Sequence, residues 1–276
     1  MEIKKILKDN DFAFKKNFGQ NFLTDDQLLN NIVTGAGVTK SDTVLEIGMG
    51  AGTLTRKLSE RANRVVGYEI DKTLKPVLAK TLADCDNGEL NFADALKTPI
   101  EEIENKLKGA YRLVSNLPYY ITTPLVLKFI EGAKNCISIT CMVQKEVALR
   151  LCAKEGTFDY GAITAGIDVV ADSSILFFVD RTMFYPAPKV DSAVVNIVIN
   201  KDKFNVLDFK TYRNVVRSAF ANRRKTFVNN LTNTFNYTKE YAQSLLQEFD
   251  IPLTARGETL STKQFVDLAN KIYLEK

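Results

Sequence analysis

The sequence contains no histidine and no tryptophan among its 276 residues. Without histidine, a Ser-His-Asp or Cys-His catalytic machine is excluded, and so is any metal site that depends on imidazole. The four cysteines form no CxxC pair and have no regular spacing, so neither a zinc site nor a disulfide framework is indicated. We therefore expect no metal, and a chemistry based on carboxylates, amides, hydroxyls, aromatic rings or a bound cofactor.

Long apolar runs are also absent. No stretch approaches the roughly 18 unbroken apolar residues of a membrane span, and the first residues resemble neither a signal peptide nor a transit peptide. We expect a cytoplasmic protein that has no membrane partner and keeps its thiols reduced. The length predicts roughly two domains, and 45% apolar with 25% charged residues is an ordinary globular composition.

The positive charge is concentrated at the C-terminal end. The net charge is +4, but residues 201–276 hold 13 Lys and Arg against 8 Asp and Glu, whereas the first 200 residues are nearly neutral. Residues 209–239 contain seven basic residues, six aromatic residues and no acid. This composition is typical of a surface that binds nucleic acid, since each neutralised phosphate releases counterions. The alternative is an amphipathic helix packed on a core, because four apolar residues recur at helical spacing: Phe209, Tyr212, Val216 and Phe220.

Apolar β-branched segments alternate with helical patterns through the first 200 residues. Seven strands are predicted, at 43–48, 64–70, 89–96, 112–117, 138–144, 174–180 and 192–199. Alternation of strands and helices predicts a mostly parallel sheet, and the short segment with two prolines before the last strand makes that strand antiparallel to its neighbour. We predict the α/β class: a Rossmann-like, mostly parallel seven-stranded sheet with an antiparallel terminal strand in residues 1–203, plus a small α-helical domain in residues 204–276.

A glycine-rich turn follows the first predicted strand. Gly48, Gly50 and Gly52 form a GxGxG pattern preceded by the acidic Glu46, whereas a dinucleotide fingerprint would have Gly or Ala where Thr53 stands. This form is typical of class I methyltransferases, which bind S-adenosylmethionine, a cofactor without a pyrophosphate. A tight turn without a ligand is the alternative.

Two acidic residues are predicted at neighbouring strand ends. Glu69 follows Gly48 by 21 residues, at the end of the second strand, where a carboxylate can accept both ribose hydroxyls. Asp94 is predicted at the end of the third strand, where it can accept a hydrogen bond from an adenine amine. Each alone could be a solvated acid, but their placement at successive strand ends of one sheet favours a nucleoside cofactor.

The fourth predicted strand ends in Asn116-Leu117-Pro118-Tyr119. This element suits methyl transfer to the exocyclic amine of a base, whose lone pair is delocalised into the ring. If the Asn116 side-chain oxygen and the Leu117 carbonyl accept the two amine hydrogens, the nitrogen lone pair points at the methyl group. Tyr119 would stack on the base and Phe184 is the candidate for its other face. An ordinary turn before a helix, and a Phe184 that plugs the sheet edge, are the alternatives.

Eight segments are closely similar to one known family. They are FGQNFLTD (18–25), VLEIGMGAGTLTRKL (44–58), YEID (68–71), SNLPYYITTPLVLKF (115–129), VQKEVALRL (143–151), FYPAPKVDSAVVNI (184–197), RRKTFVNNL (223–231) and RGETLSTKQFVDLAN (256–270). In this order they closely resemble the ribosomal RNA small subunit dimethyladenosine transferases. The resemblance implies a monomeric enzyme that transfers methyl groups from S-adenosylmethionine to the N6 atoms of two adjacent adenosines in the 3′-terminal hairpin of 16S rRNA, within the small (30S) ribosomal subunit.

The resemblance also assigns roles to residues. The cofactor contacts of the family fall on Asn21, Leu23, Gly48, Glu69, Asp94 and Asn116, to which we add Gly50 of the same turn. The target adenine would lie between Tyr119 and Phe184, with its amine held by Asn116 and Leu117. The predicted RNA contacts are Arg223, Arg224 and Lys225. Without the resemblance, FGQNFLTD predicts only a helix start with Thr24 as N-cap.

Three positions depart from the family pattern. Met49 stands where proline is common, Ala148 where an acid is frequent, and Ala162 where arginine is frequent. Met49 is expected to loosen the glycine turn without removing a contact, and the two alanines bear on RNA docking rather than on the chemistry.

Three other functions compete with this interpretation. The sister group that methylates a single adenine of 23S rRNA is disfavoured by NLPYYITT and RGETLS. A non-catalytic RNA-binding factor is disfavoured by the intact site residues, which are Gly48, Glu69, Asp94 and Asn116. An NAD-dependent oxidoreductase is disfavoured by Thr53 and by the lack of an evident proton donor.

Overall fold

A computed structural model describes residues 3–9, 12, 14 and 21–275 of the chain. Its contacts divide the chain into two compact units: Met1–Ala148 with Ser174–Ile199, and Leu149–Ser173 with Asn200–Lys276. Residues 149–173 therefore pack with the C-terminal helices although they precede the end of the sheet in sequence. The division into a catalytic part, 1–203, and an RNA-binding part, 204–276, stays a prediction.

Nine strands occur among the described residues. They are β1 (Phe22–Leu23), β2 (Thr43–Ile47), β3 (Arg64–Tyr68), β4 (Gly88–Asn91), β5 (Tyr111–Asn116), β6 (Cys136–Gln144), β7 (Ala171–Val179), β8 (Phe184–Tyr185) and β9 (Ser192–Ile199). Seven of them form one sheet in the order β4-β3-β2-β5-β6-β9-β7. The pairs β2–β3, β2–β5, β3–β4 and β5–β6 are parallel, and β9 is antiparallel to β6. The predicted sheet is confirmed.

Twelve α-helices occur in the part of the chain that the structure describes. They are α1 (Ile3–Asp9), α2 (Asp26–Gly35), α3 (Thr53–Arg61), α4 (Lys75–Thr81), α5 (Ile100–Leu107), α6 (Thr122–Gly132), α7 (Lys145–Leu151), α8 (Ala162–Asp168), α9 (Phe209–Ala221), α10 (Phe227–Phe235), α11 (Lys239–Glu248) and α12 (Thr262–Leu274). None of these described helices is both long and apolar enough to cross a membrane.

The sheet core forms because its central strands are apolar on both faces. Val44 and Leu45 of β2 are fully buried, as are Val65 and Val66 of β3. Such continuous burial is what helices on both faces of a parallel sheet require. One buried cluster joins the apolar sides of α2 and α3 to these strands, which anchors the helix that follows the glycine turn.

Two local predictions were wrong for the same physical reason. The third strand ends at Asn91, and Asp94 lies beyond it in a turn, where its Oδ1 accepts the Leu96 N–H at 3.0 Å. Helix α2 is capped by Asp25 and not by Thr24, because Asp25 Oδ1 accepts the Leu28 N–H at 2.7 Å. In both places an aspartate carboxylate accepts a backbone N–H that has no partner in a regular element.

Helix α9 belongs to the second unit and is amphipathic, as one of the two interpretations predicted. Tyr212 and Val216 are buried, and the Tyr212 hydroxyl donates to the Ala165 carbonyl at 2.9 Å. Phe209, at the first position of the helix, is 41% exposed. The apolar spacing therefore belongs to a core face, and the basic residues of the stretch lie elsewhere on the surface.

The position of Met49 explains how the glycine turn is held without the proline of the family pattern. Met49 is buried, in a cluster with Leu74, Val77 and Leu78. Its side chain lies over Gly67 of β3 and fills the space that a Cβ there would need, with Met49 Cγ only 2.9 Å from that position. We expected Met49 to loosen the glycine turn, but its packing against Gly67 and the buried cluster holds it in place. Ala148 is fully buried in α7, and Ala162 begins α8.

We predict a stability coupling between Gly67 and Met49. Gly67→Ala forces the buried methionine out of its place, which should lower the free energy of unfolding by about 1–3 kcal/mol. When Met49 is replaced by alanine, the added methyl group of Gly67→Ala no longer meets the methionine side chain. The double variant should therefore lose less unfolding free energy than the sum of the losses in the two single variants. Urea denaturation of the four proteins measures this coupling. Strictly additive effects would contradict the contact.

Candidate active site

A cleft opens at the carboxyl ends of the parallel strands, where the chain order of the sheet reverses. Strand β2 has β3 on one side and β5 on the other, and open α/β sheets bind their ligands at such a switch point. The cleft is lined by residues from the turns that follow β2 and β3 and from the end of β5. All the predicted cofactor and catalytic residues line it: Asn21, Leu23, Gly48, Gly50, Glu69, Asp94, Asn116, Leu117, Tyr119 and Phe184.

The glycine turn forms the floor between β2 and α3. Gly48, Gly50 and Gly52 have φ values of 78°, 56° and 81°, in the left-handed region that favours glycine. A Cβ on Gly48 would stand 3.3 Å from Cδ of Pro118. The turn therefore rests directly on the segment that follows β5, and a side chain at Gly48 would push the two apart.

The Glu69 carboxylate is fixed by the backbone on both oxygens. Oε2 accepts the Gly50 N–H at 2.9 Å, and Oε1 accepts the Asp71 N–H at 2.8 Å. Burial raises the pKa of Glu69. The hydrogen bonds from the Asp71 and Gly50 N–H groups lower this pKa and the Asp71 charge raises it, but each of these effects is smaller than that of burial. Each oxygen has a further lone pair for a ligand hydroxyl, so the geometry suits the ribose contact that was predicted.

Glu46 lies at the base of the cleft and is almost completely buried. Its Oε2 has no hydrogen-bond partner within the described residues. Burial raises the pKa of Glu46 to about 8; the Thr55 hydroxyl beside it opposes this rise, and the nearby Glu69 charge adds to it. A buried carboxyl oxygen without a partner is costly unless a ligand or water supplies a donor.

The Asn116 side chain has a defined orientation. Its Nδ2 donates to the Asn21 carbonyl at 3.1 Å. No hydrogen bond to Asn116 Oδ1 occurs among the residues that the structure describes, so this oxygen remains an acceptor in the cleft. The preceding residue, Ser115, is fully buried, and its hydroxyl accepts the Ile47 N–H at 2.9 Å, which joins the ends of β5 and β2.

A small second sheet holds the roof of the site. Strands β1 and β8 are antiparallel, with Leu23 opposite Phe184 and Phe22 opposite Tyr185. Phe184 is 5% exposed, packs in the core and also lines the cleft; its contact with the target base stays a prediction. Sequence reasoning missed the pairing because a two-residue strand has no periodicity.

Two further residues hold the site and were not predicted. The Tyr119 hydroxyl is 2.7 Å from Oγ of Ser192, a fully buried residue at the start of β9, and this bond fixes the ring. Nζ of Lys128 donates to the carbonyls of Ala95, Leu96 and Thr98 at 2.5–2.8 Å, which ties down the turn that carries Asp94. Burial lowers the pKa of Lys128, and the Asp94 charge opposes this. A lysine on a helix gives no sequence signal of this role.

The predicted RNA contacts lie in the second unit and are all exposed. They are not equivalent. Nη2 of Arg223 donates to the carbonyls of Phe158 and Tyr160 at 2.9 and 3.1 Å, whereas no such backbone bond from the side chains of Arg224 or Lys225 occurs within the described ranges. Arg223 therefore also fixes a neighbouring loop.

Comparison with known proteins places this site in a family. A family model described as "Ribosomal RNA adenine dimethylase" matches residues 11–273. The ribosomal RNA small subunit methyltransferase A of Clostridioides difficile (strain 630) is 42% identical over 272 residues, which cover 98% of this chain and 94% of that protein. The protein of the same name from Enterococcus faecalis (strain ATCC 700802 / V583) is 39% identical over 280 residues, 99% of this chain and 95% of that protein.

The chain belongs to the ribosomal RNA adenine dimethylase family. It is thereby a methyltransferase, and the prediction of an enzyme of this family is confirmed. A dimethyladenosine transferase from Plasmodium falciparum has the same fold, with a TM-score of 0.80 and 26% identity over 92% of this chain and 98% of that chain. The 23S rRNA methyltransferase ErmE has a TM-score of 0.72 and 26% identity over 92% of this chain and 100% of that chain.

Membership of the adenine dimethylase family decides between the competing functions. An oxidoreductase and a non-catalytic RNA-binding factor are disfavoured by the family and by the intact cleft. Two relatives named for the small subunit are 39% and 42% identical to this chain, and the dimethyladenosine transferase has a higher TM-score than ErmE, 0.80 against 0.72. The comparisons therefore support the small-subunit interpretation.

We predict that Glu46 makes the stability of the protein depend on pH. The folded pKa of about 8 lies above the ordinary value of 4.5, so between these pH values the unfolded chain loses a proton that the folded chain keeps. Stability then falls as pH rises, by roughly 1.4 kcal/mol per unit from this group. Glu46→Gln removes this dependence, and its stability relative to the wild type should rise from pH 4.5 to 8 and level off above. Urea denaturation at several pH values measures this, and parallel profiles would contradict it.

Proposed function

We propose that this protein transfers methyl groups from S-adenosylmethionine to N6 of two adjacent adenosines in the 3′-terminal hairpin of 16S rRNA, within the small ribosomal subunit, giving N6,N6-dimethyladenosine. The curated relatives named for the small subunit support the choice of RNA. The orientation of Asn116 carries the chemistry, because its amide nitrogen is held by the Asn21 carbonyl and its oxygen is left as an acceptor in the cleft.

The cleft fits S-adenosylmethionine. Glu46 has a buried oxygen without a hydrogen-bond partner among the described residues, and Glu69 presents two oriented oxygens. We assign the cofactor contacts to Asn21, Leu23, Gly48, Gly50, Glu69, Asp94 and Asn116. When bound, the cofactor supplies a methyl group on a positively charged sulfur, which is an intrinsically good leaving group.

The residues around Asn116 orient the adenine. Oδ1 of Asn116 and the Leu117 carbonyl accept the two amine hydrogens, which turns the nitrogen lone pair toward the methyl group. Tyr119, fixed by Ser192, and Phe184, fixed by the pairing of β1 with β8, would hold the two faces of the base. The nitrogen becomes positively charged when it is methylated and then loses a proton to water, so a chain without histidine can carry out the reaction.

The second unit supplies the contacts to RNA in this proposal. Arg223, Arg224 and Lys225 are exposed and lie in a stretch of 31 residues, 209–239, that contains no acid. Such residues bind phosphates through counterion release, with little dependence on base identity. We further propose that the protein acts in the cytoplasm, as a monomer, without a metal or a membrane partner.

A direct assay tests the proposed function. The protein and labelled S-adenosylmethionine are incubated with small subunits that lack the modification and, in a parallel reaction, with unmodified 23S rRNA, and the RNA of each reaction is then digested to nucleosides. We expect label in N6,N6-dimethyladenosine from 16S rRNA. Label only in 23S rRNA would establish the sister activity, and cofactor binding without any transfer would refute the proposal.

We predict that Asn116→Ala abolishes the orientation of the amine. The variant should lower kcat by at least about 100-fold, the effect of removing one oriented polar group from an active site. Its affinity for S-adenosylmethionine should fall but stay measurable by calorimetry, since Glu69 and Asp94 are intact. Ser192→Ala is the matched control, because it loosens the Tyr119 ring and leaves the amine acceptors in place, and its loss should be smaller. Full activity of Asn116→Ala would exclude the role.

A further inference from the structure

Phe158 is the most exposed large apolar side chain among the described residues, with 87% of its surface accessible. It lies in the second unit, in the loop between α7 and α8. Its loop neighbours Lys154, Glu155, Thr157 and Asp159 are polar. The ring is therefore an isolated apolar surface, about the size of one aromatic partner, and not part of a patch large enough for a stable protein interface.

The loop holds Phe158 in a fixed place. Gly156 has φ of +80°, and its N–H donates to the Glu258 carbonyl at 2.7 Å. The Thr157 hydroxyl donates to the Lys154 carbonyl at 2.6 Å. On the far side, Tyr160 is buried and its ring meets Phe220 edge to face at a centroid distance of 5.8 Å. These bonds keep the phenylalanine from turning into the core.

Arg223 completes the arrangement. Its guanidinium carbon lies 5.7 Å from the centroid of the Phe158 ring, and its Nη2 bonds the carbonyls on both sides of Asp159. The cation covers part of the ring and leaves the rest accessible, as the 87% exposure requires. An aromatic ring beside a guanidinium is a common platform for an unpaired base.

We propose that Phe158 and Arg223 form a stacking platform for one unpaired base of RNA, with the exposed Arg224 and Lys225 next in sequence to contact the adjacent phosphates. This proposal rests on the proposed function only in taking RNA as the partner. It adds a contact with a base to a region that is otherwise predicted to bind phosphates alone. The choice of RNA over a protein partner follows from charge complementarity with the acid-free stretch 209–239 and from the small size of the apolar surface.

The absence of tryptophan from the sequence allows a direct test. Phe158→Trp introduces a single indole at the platform, and a base stacked on it should quench its fluorescence. The probe is an oligouridylate, which contains no adenine to methylate. The control is Leu274→Trp, at a residue of the same unit that is 72% exposed. We expect saturable quenching of the first variant and no saturable quenching of the second.

Binding measurements with the same oligonucleotide complete the experiment. Phe158→Ala should weaken binding about tenfold, a value within the range for one stacked base, and Phe158→Tyr should bind like the wild type. Arg224→Gln should weaken binding and reduce its salt dependence, and it should leave the quenching of Phe158→Trp at saturation unchanged. Circular dichroism controls for folding of each variant.

The outcomes separate this proposal from the proposed function. Wild-type binding of the oligonucleotide without quenching of Phe158→Trp, or equal quenching of both tryptophan variants, would overturn the platform. Loss of affinity for a ribosomal protein but not for RNA in Phe158→Ala would also overturn it, in favour of a protein partner. Failure of the methylation assay together with saturable quenching would refute the proposed function and leave the platform standing.

Discussion

The site depends on the separation of β2 and β5 at their carboxyl ends. Their ladder pairs Thr43 with Tyr111 and ends with Leu45 opposite Leu113. Beyond it, the Ile47 N–H bonds the buried hydroxyl of Ser115 and not a backbone carbonyl. One segment then enters the glycine turn and the other enters the Asn116 segment, and both line the cleft. The residues of the site follow from this arrangement.

The cleft combines two carboxyl groups under different constraints. Glu69 accepts hydrogen bonds on both oxygens and is oriented, while one oxygen of Glu46 has no partner in the described part of the chain. Burial raises the pKa of both groups. Burying two such groups together lowers the stability of the protein, and a bound ligand with suitable polar groups can restore it. The electrostatics of the cleft therefore suit a polar ligand.

Most side chains that hold the site act through backbone groups. Lys128 gathers three carbonyls beneath the Asp94 turn, and Asn116 is oriented by the Asn21 carbonyl. In the second unit, Arg223 does the same for the loop of Phe158. A carbonyl that is removed from water needs a hydrogen-bond donor. Where the backbone is irregular and no neighbouring strand supplies that donor, a charged side chain can supply it and so hold the segment in place.

The sequence by itself determined the seven strands of the sheet, the glycine turn, the order of Glu69, Asp94 and Asn116 along the chain, and the amphipathic face of α9. Each of these has a local signal: alternating or continuous apolar runs, glycines at fixed spacing, or apolar residues at helical spacing. Only the tertiary structure decided the pairing of β1 with β8, the contacts of Ser192 and Lys128, the burial of Met49 over Gly67, and the bonds from Arg223 to the Phe158 and Tyr160 carbonyls. These contacts join residues far apart in the chain, and a side chain that meets a distant carbonyl or glycine leaves no periodic pattern in its own neighbourhood.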